Sequence, residues 1–410
     1  MSDAWYMYIK DDQMIDFWCN DTKWRCKSSF GLQPNSSISV AYHPDFGPHD
    51  DLLLLELDEK LLPDVLSESV SLRGEPDEEA VFCTRSKTYA IKFVGTSNSV
   101  FLVPPSNSSS LPGVAMDCDE QNLDQPALAS VLKVASGSME LVEVAPRLDK
   151  LKLLLSRKPF NMEEMSEMST FSESDEQNSI YSWDDLIGQI QASDSELKLG
   201  LEALNALEIN GFWRIVDEKC MDSVLNMLLH NAVLNDWPLD SLQENEVLSM
   251  LESDGFPPPI STHCLRVYGY KLDSNEGIPL WKLNEKRVCV HFAKEILRNG
   301  KLKMEKFMEE WNSKIPHGMQ TSFDMLEGEI LTERIGVEIW IRAFSVSSLP
   351  TTPAERFSIL FKERPKWEWK DLEPYIRDLK VPGLSSEGLL LKYTRRSQPK
   401  PDIEPIFSAR

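Results

Sequence analysis

The stretch VSLRGEPDEEAVFCTRSKTYAIKFVGTSNSVFLVPP, Val70–Pro105, decides the first half of the fold. Within it VSLRGE, EAVFCT, YAIKFVG and SVFLVPP are short apolar or alternating runs, and Gly-Glu-Pro-Asp and Thr-Ser-Asn-Ser break the chain between them. Alternation with a period of two sends successive side chains to opposite faces, which is the pattern of a strand with one buried side. LLLLELD, residues 52–58, precedes these runs across a Pro-Asp breaker, and the spacing predicts an antiparallel β domain, a sandwich or a barrel. After a polar loop, NSSSLPGVAMDCDEQNLDQP at 107–126, come ASVLKVA and MELVEVAP as closing strands and LDKLKLLLSRKPF with helical spacing.

The chain has 410 residues, 41% hydrophobic and 27% charged, enough for several domains with real cores. No apolar run reaches the roughly 18 residues a membrane span needs, and MSDAWYMYIKDDQMIDFW lacks the basic and apolar regions of a secretory leader. The seven scattered cysteines, Cys19, Cys26, Cys83, Cys118, Cys220, Cys264 and Cys289, read as reduced thiols used as small core residues. The formal net charge is -23, but from residue 281 onward 23 Lys and Arg face 19 Asp and Glu. The last third is therefore mildly basic and the rest strongly acidic, which favours basic protein partners early in the chain and phosphate at its end.

Residues 1–32 form an aromatic-rich extension of uncertain order, and residues 33–158 the barrel-like domain, read as a subunit-assembly module. Between Phe160 and Glu196 there is no Lys or Arg, so 159–181 reads as an acidic linker. The rest is mainly helical with a recurring order. In 281–349, helical stripes led by Val288 and Met304 and a third of Phe323, Leu326 and Ile330 are followed by the alternating IGVEIWIRAF. In 350–410, Thr352-Pro353-Ala354-Glu355 predicts a capping box, Leu372 to Leu379 a second helix, and Ser386 the cap of a third, LLLKY. Three short helices and a strand or hairpin are the pattern of a winged helix. A divergent, acidic copy is expected in 182–280. The predicted fold class is α+β and multidomain, a β-barrel-like domain followed by tandem winged helices.

No GxxxxGK[ST], GxGxxG, GxSxG or HExxH occurs, so no phosphate cradle, nucleophile elbow or zinc-protease site is expected, and no cofactor. His263-Cys264 with Cys289 and His291 have metal-ligand chemistry but not metal-ligand spacing, and no metal is expected. Acid pairs such as Glu78-Glu79 and Asp184-Asp185 lack a partner His and read as solvated edges, so the chain is not expected to be an enzyme. Basic residues gather twice. Arg298, Lys301, Lys303 and Lys306 straddle one turn; Lys362, Arg364, Lys366 and Lys370 surround Trp367 and Trp369 and join Lys392, Arg395, Arg396 and Lys400. Singly these read as solvated helix faces; as clusters they point to sequence-independent phosphate contacts.

DDLLLLELDEKLLPDVL, SLRGEPDEEAVFCTRSKTYAIKFVGTSNSVFLVPP, LLLKYTRRSQP and the terminal IFSAR closely resemble the cohesion protein family named for "defective in sister chromatid cohesion", over residues 33–410. The resemblance implies a non-catalytic subunit of the alternative, replication factor C-like clamp loader, which acts in the nucleus on the sliding clamp PCNA in DNA replication and cohesion. It implies as partners the large ATPase subunit, a small subunit, the DNA polymerase epsilon catalytic subunit, and single- and double-stranded DNA. The β domain would join partner barrels by β-augmentation of edge strands such as LLLLELD, for which Leu53, Leu54, Leu55, Leu57, Val81, Phe82, Phe101 and Val103 are the expected interface residues. The competing reading is an independent winged-helix chromatin or transcription factor.

Overall fold

The computed structural model describes residues 4–10, 13–20, 38–50, 52–67, 70–103, 127–161, 163, 180–273, 279–398 and 404–410. The chain divides into two units, Met1–Pro146 with Gln191–Ser195, and Arg147–Ile190 with Glu196–Arg410.

The N-terminal unit holds β1 (Ala4–Lys10), β2 (Gln13–Asn20), β3 (Ile38–Tyr42), β4 (Leu53–Leu57), β5 (Ser71–Arg73), β6 (Val81–Cys83), β7 (Thr88–Leu102), β8 (Ala127–Val131) and β9 (Lys133–Val144). Seven strands make one sheet, ordered β2-β1-β4-β9-β7-β6-β5 and curled as a half-barrel, while β3 and β8 pair separately. The predicted strands are present, with three corrections. YAIKFVG and SVFLVPP, expected as separate strands, are one strand, β7, which runs through the Thr-Ser-Asn-Ser breaker with a register shift between Gly95 and Val100. The sheet is mixed rather than antiparallel, because β4 runs parallel to β9, as β3 does to β8. And Leu53–Leu57, expected as an exposed edge, is an inner strand bonded to β1 on one side and β9 on the other. The physical reason is the apolar run itself: Leu55 and Leu57 pack with Val65 of helix α1 (Leu62–Ser67), Phe82 and Tyr89. A strand that buries this much side chain is stabilised by neighbours on both sides.

The C-terminal unit repeats one order of elements four times. The first round is α2 (Asp149–Leu155), β10 (Tyr181–Ser182), α3 (Trp183–Gln189), α4 (Asp194–Ala203), β11 (Ala206–Ile209) and β12 (Phe212–Ile215). The second is α5 (Glu218–Leu234), β13 (Leu242–Gln243), α6 (Glu244–Ser253), α7 (Pro258–Tyr268), β14 (Gly269–Leu272) and β15 (Leu280–Leu283). The third is α8 (Glu285–Leu297), β16 (Leu302–Lys303), α9 (Met304–Lys314), a 3-10 turn (Phe323–Leu326), β17 (Ile330–Ile335) and β18 (Glu338–Ala343). The fourth is α10 (Pro353–Glu363), β19 (Lys366–Glu368), α11 (Trp369–Leu372), α12 (Ser386–Tyr393), β20 (Thr394–Ser397) and β21 (Ile406–Ala409). In each round the first strand pairs with the third and the third with the second, as in β10-β12-β11 and β19-β21-β20.

Local chemistry explains the element ends. Ser182 and Asp185 form a reciprocal capping box on α3, and Asn284 caps α8 through the Arg287 amide. Thr352 precedes α10, but its side chain makes no cap bond; Pro353 at the first helical position supplies the start instead. The cap of α12 is Ser385, one residue before the expected Ser386, accepting from the Gly388 amide at 3.2 Å. Ile330, expected on a helical stripe, begins β17, because Gly328 with φ +74 ends the preceding turn. Rounds two and three share a core that includes Trp311, whose indole donates to the Cys289 carbonyl at 2.8 Å. Round four has its own, around Trp367, Tyr375 and Phe407. Cys83, Cys220, Cys264 and Cys289 are buried. Among the described residues no helix is long and apolar enough to cross a membrane.

Candidate nucleic-acid interface

The two basic clusters turn out to differ in their acids. In the first, Arg298 at the end of α8 donates to the Asp222 carboxylate at 2.7 and 3.2 Å and lies 3.2 Å from Glu218, both on α5. The bond to Asp222 raises the Arg298 pKa further. Asp222 also sits 3.2 Å from His291 Nε2, while His291 Nδ1 meets the Tyr268 hydroxyl at 2.8 Å. Burial pushes the His291 pKa down, against the pull of Asp222, and pushes the Tyr268 pKa up. Arg298 is thus a structural tie between helices. Lys303 pairs with Glu338 at 2.5 Å, Lys301 with Glu333 at 3.9 Å and Lys306 with Glu310 at 3.5 Å. Both Lys301 and Lys303 also lie over the Trp340 ring. Such exposed pairs contribute only about 0–1 kcal/mol each, yet a phosphate approaching these lysines meets their carboxylates as well.

The second cluster splits. Arg364, half-buried, donates to Asp371 at 2.7 Å and to the Thr332 carbonyl at 2.8 Å and stacks 4.8 Å from the Trp367 ring centre. Lys370 pairs with Glu368 at 2.9 Å, which raises its pKa. Lys392 lies 5.2 Å over the Tyr393 ring and Arg396 bonds Gln398 at 2.9 Å. Lys400 lies outside the described residues. No carboxylate comes within ion-pair reach of Lys362, Lys366, Lys392, Arg395 or Arg396 among the described residues.

Strand register puts two of these cations in a row. Lys366 on β19 and Arg395 on β20 both face Ser408 on the central β21. Directly opposed residues share a face, so Lys366, Ser408 and Arg395 cross the sheet as one line, with the two cations about 10 Å apart at their backbones. The next register row contains Trp367 and Phe407, both buried, so the cationic line is on the outer face. Ser408 was not singled out in the sequence; the alternation Phe407 in, Ser408 out within IFSAR is the signal that would have found it.

For the expected subunit interface, Leu55, Leu57, Val81 and Phe82 lie in the unit's own core and are not available to a partner. Leu53 and Phe101 are exposed, and Leu54 and Val103 half-buried. Exposed Phe101 pairs in register with exposed Val134, and Phe93 of the same strand is 58% exposed. Phe101 and Val134 make an apolar pair of which the sequence named only Phe101, whereas Phe93 pairs with Met139, five residues along β9 from Val134, and so lies on the other face. His263, Cys264, Cys289 and His291 do not assemble: no group of three or more His, Cys, Asp or Glu that could hold a metal ion occurs among the described residues. Burial pushes the Cys289 thiol up to about 11, disfavouring the thiolate a metal needs, and Cys264 upward as well.

With this geometry in hand, relatives add identity. The family "Sister chromatid cohesion protein Dcc1" matches residues 52–376. The sister chromatid cohesion protein DCC1 of Danio rerio is 33% identical over 378 residues, covering 89% of this chain and 91% of its own. That of Homo sapiens is 32% identical over 350 residues, covering 85% and 86%. The Saccharomyces cerevisiae protein aligns over 124 residues at 25% identity, 29% of this chain and 32% of its own. The chain belongs to the Dcc1 family of sister chromatid cohesion proteins, and its role is in sister chromatid cohesion.

Proposed function

We propose that the chain is a non-catalytic subunit of an alternative, replication factor C-like clamp loader, acting in the nucleus. Its N-terminal half-barrel joins the large ATPase subunit and a small subunit, and its four helix-and-strand rounds are tandem winged helices. The complex acts on PCNA and links it to the DNA polymerase epsilon catalytic subunit and to DNA during replication. The observation that carries this reading is the exposed apolar pair Phe101 and Val134, directly opposed on neighbouring strands of the sheet. Two apolar side chains held side by side in water are costly, and a partner's strand or barrel covering them recovers that energy. The row of Lys366 and Arg395 supports DNA contact by the fourth round. The third round is a poor reader: its third helix is reduced to the 3-10 turn Phe323–Leu326, and its lysines are matched by acids.

The test is purification of the tagged chain from nuclear extract, wild type against Phe101→Asp with Val134→Asp. The expected result is an ATPase and a small subunit recovered with the wild type and lost from the variant, with circular dichroism unchanged. Wild-type chain recovered without either subunit refutes the proposal.

A further inference from the structure

Gln191–Ser195 is encoded between α3 and the body of α4, yet it groups with the N-terminal unit. Its contacts explain why. Arg73, at the end of the edge strand β5, is 7% exposed. Its Nη1 donates to the Ala192 carbonyl at 2.5 Å, its Nη2 to the Asp194 carboxylate, and its Nε to Ser71 Oγ at 3.0 Å. Gln191 Nε2 donates to the Glu79 carbonyl at 2.7 Å, the Ser193 amide to Thr88 Oγ1 at 2.9 Å and the Ser195 amide to the Arg85 carbonyl at 3.1 Å. Ala192 and Ser193 have no exposed surface. The fit is close: a Cβ on Gly74, φ +148, would meet Gln191 Nε2 at 2.9 Å.

Every one of the five residues is thus anchored or sealed in. A guanidinium this deep is tolerable only while its hydrogen-bond acceptors and a carboxylate stay in place. We propose that Gln191–Ser195, the α3–α4 linker with the first turn of α4, is a strap that acts as an intramolecular ligand of the N-terminal unit, and that Arg73 is the residue that holds it. The unit is therefore discontinuous in sequence, and its cohesion depends on residues encoded well beyond Pro146. Release of the strap leaves the unit joined to the rest of the chain by one covalent crossing, at Pro146–Arg147, in place of three.

The test is amide hydrogen exchange on the full chain, comparing wild type with Arg73→Ala, Asp194→Asn and the double variant. Either single change is expected to speed exchange about 10- to 100-fold at the Ser193 and Ser195 amides and around Thr88, leaving the segments around Trp311 and Trp367 unchanged. Because both act on one interaction, the double variant is expected to exceed the larger single effect by less than about threefold. Where Arg73→Ala unfolds the whole N-terminal unit, Asp194→Asn, which preserves shape, decides. Wild-type exchange at Ser193 and Ser195 in Asp194→Asn, or effects that multiply in the double variant, overturns the proposal.

Discussion

Replacing Lys366 and Arg395 together by Gln tests the cationic row most directly. Neither side chain has a carboxylate partner among the described residues, so the change removes two charges without stranding an acid. Both positions lie on the face opposite the buried Trp367 and Phe407, so that layer is untouched. If each cation neutralises one phosphate, each contributes roughly 0.9 to the slope of log affinity against log salt, so the pair contributes about 1.8. Between about 50 and 200 mM salt, a fourfold range, the wild type is then expected to lose about twelvefold more affinity for duplex DNA than the variant. Lys303→Gln is the internal comparison, since Glu338 at 2.5 Å already offsets that charge, and its slope is expected to match wild type. Fluorescence anisotropy of a labelled duplex, titrated with full-length chain at three salt concentrations, reads both. An unchanged slope in the double variant, or an equal fall in Lys303→Gln, would refute the assignment.

Arg356 is 1% exposed and donates to the Pro350 and Tyr375 carbonyls, at 2.6 and 3.1 Å, and to Asp378. Arg356→Met keeps the stem but orphans both carbonyls, and denaturant titration should show a loss of about 3 kcal/mol in the fourth round, read by tryptophan fluorescence. His263 is pushed down to about 4 by burial, helped by Arg266 and opposed by a hydrogen bond with the Asn205 backbone. The folded chain therefore keeps it neutral while the unfolded chain protonates it near 6.5. That contribution, roughly 3 kcal/mol, is fully present above pH 6.5 and is lost as pH falls toward 4. His263→Gln should flatten the urea midpoint over that window. Ser182→Ala removes the capping box on α3 and should cost about 1 kcal/mol by the same titration.

Residue order makes some of this fold legible and hides the rest. Glu338 to Arg342 alternates apolar with polar or interfacial residues and is a strand, because the period-two pattern is a local property. Leu53–Leu57 was misread as an edge, since an apolar run looks the same in an inner strand and an outer one; only its pairing partners, β1 and β9, distinguish them. The helix expected from Phe323 to Ile330 fails at Gly328, whose positive φ bends the backbone into the β17–β18 hairpin. For the candidate interface, the list of basic residues was readable, but not which ones are matched. Glu333 and Glu338 reach Lys301 and Lys303 only because β16 pairs with β18 across more than thirty residues.

What the residues determined alone is local: the period of each run, the breakers that end it, the acid-to-base gradient along the chain, and the long motifs that mark the Dcc1 family. What only the tertiary structure decided is which side chains meet. Asp194 reaches Arg73, Glu338 reaches Lys303, and Ser408 separates Lys366 from Arg395, none of them neighbours in sequence. The reason is range. Hydrophobic periodicity acts over one or two turns of chain, whereas charge compensation and strap closure act through space, between segments whose proximity the sheet topology alone creates.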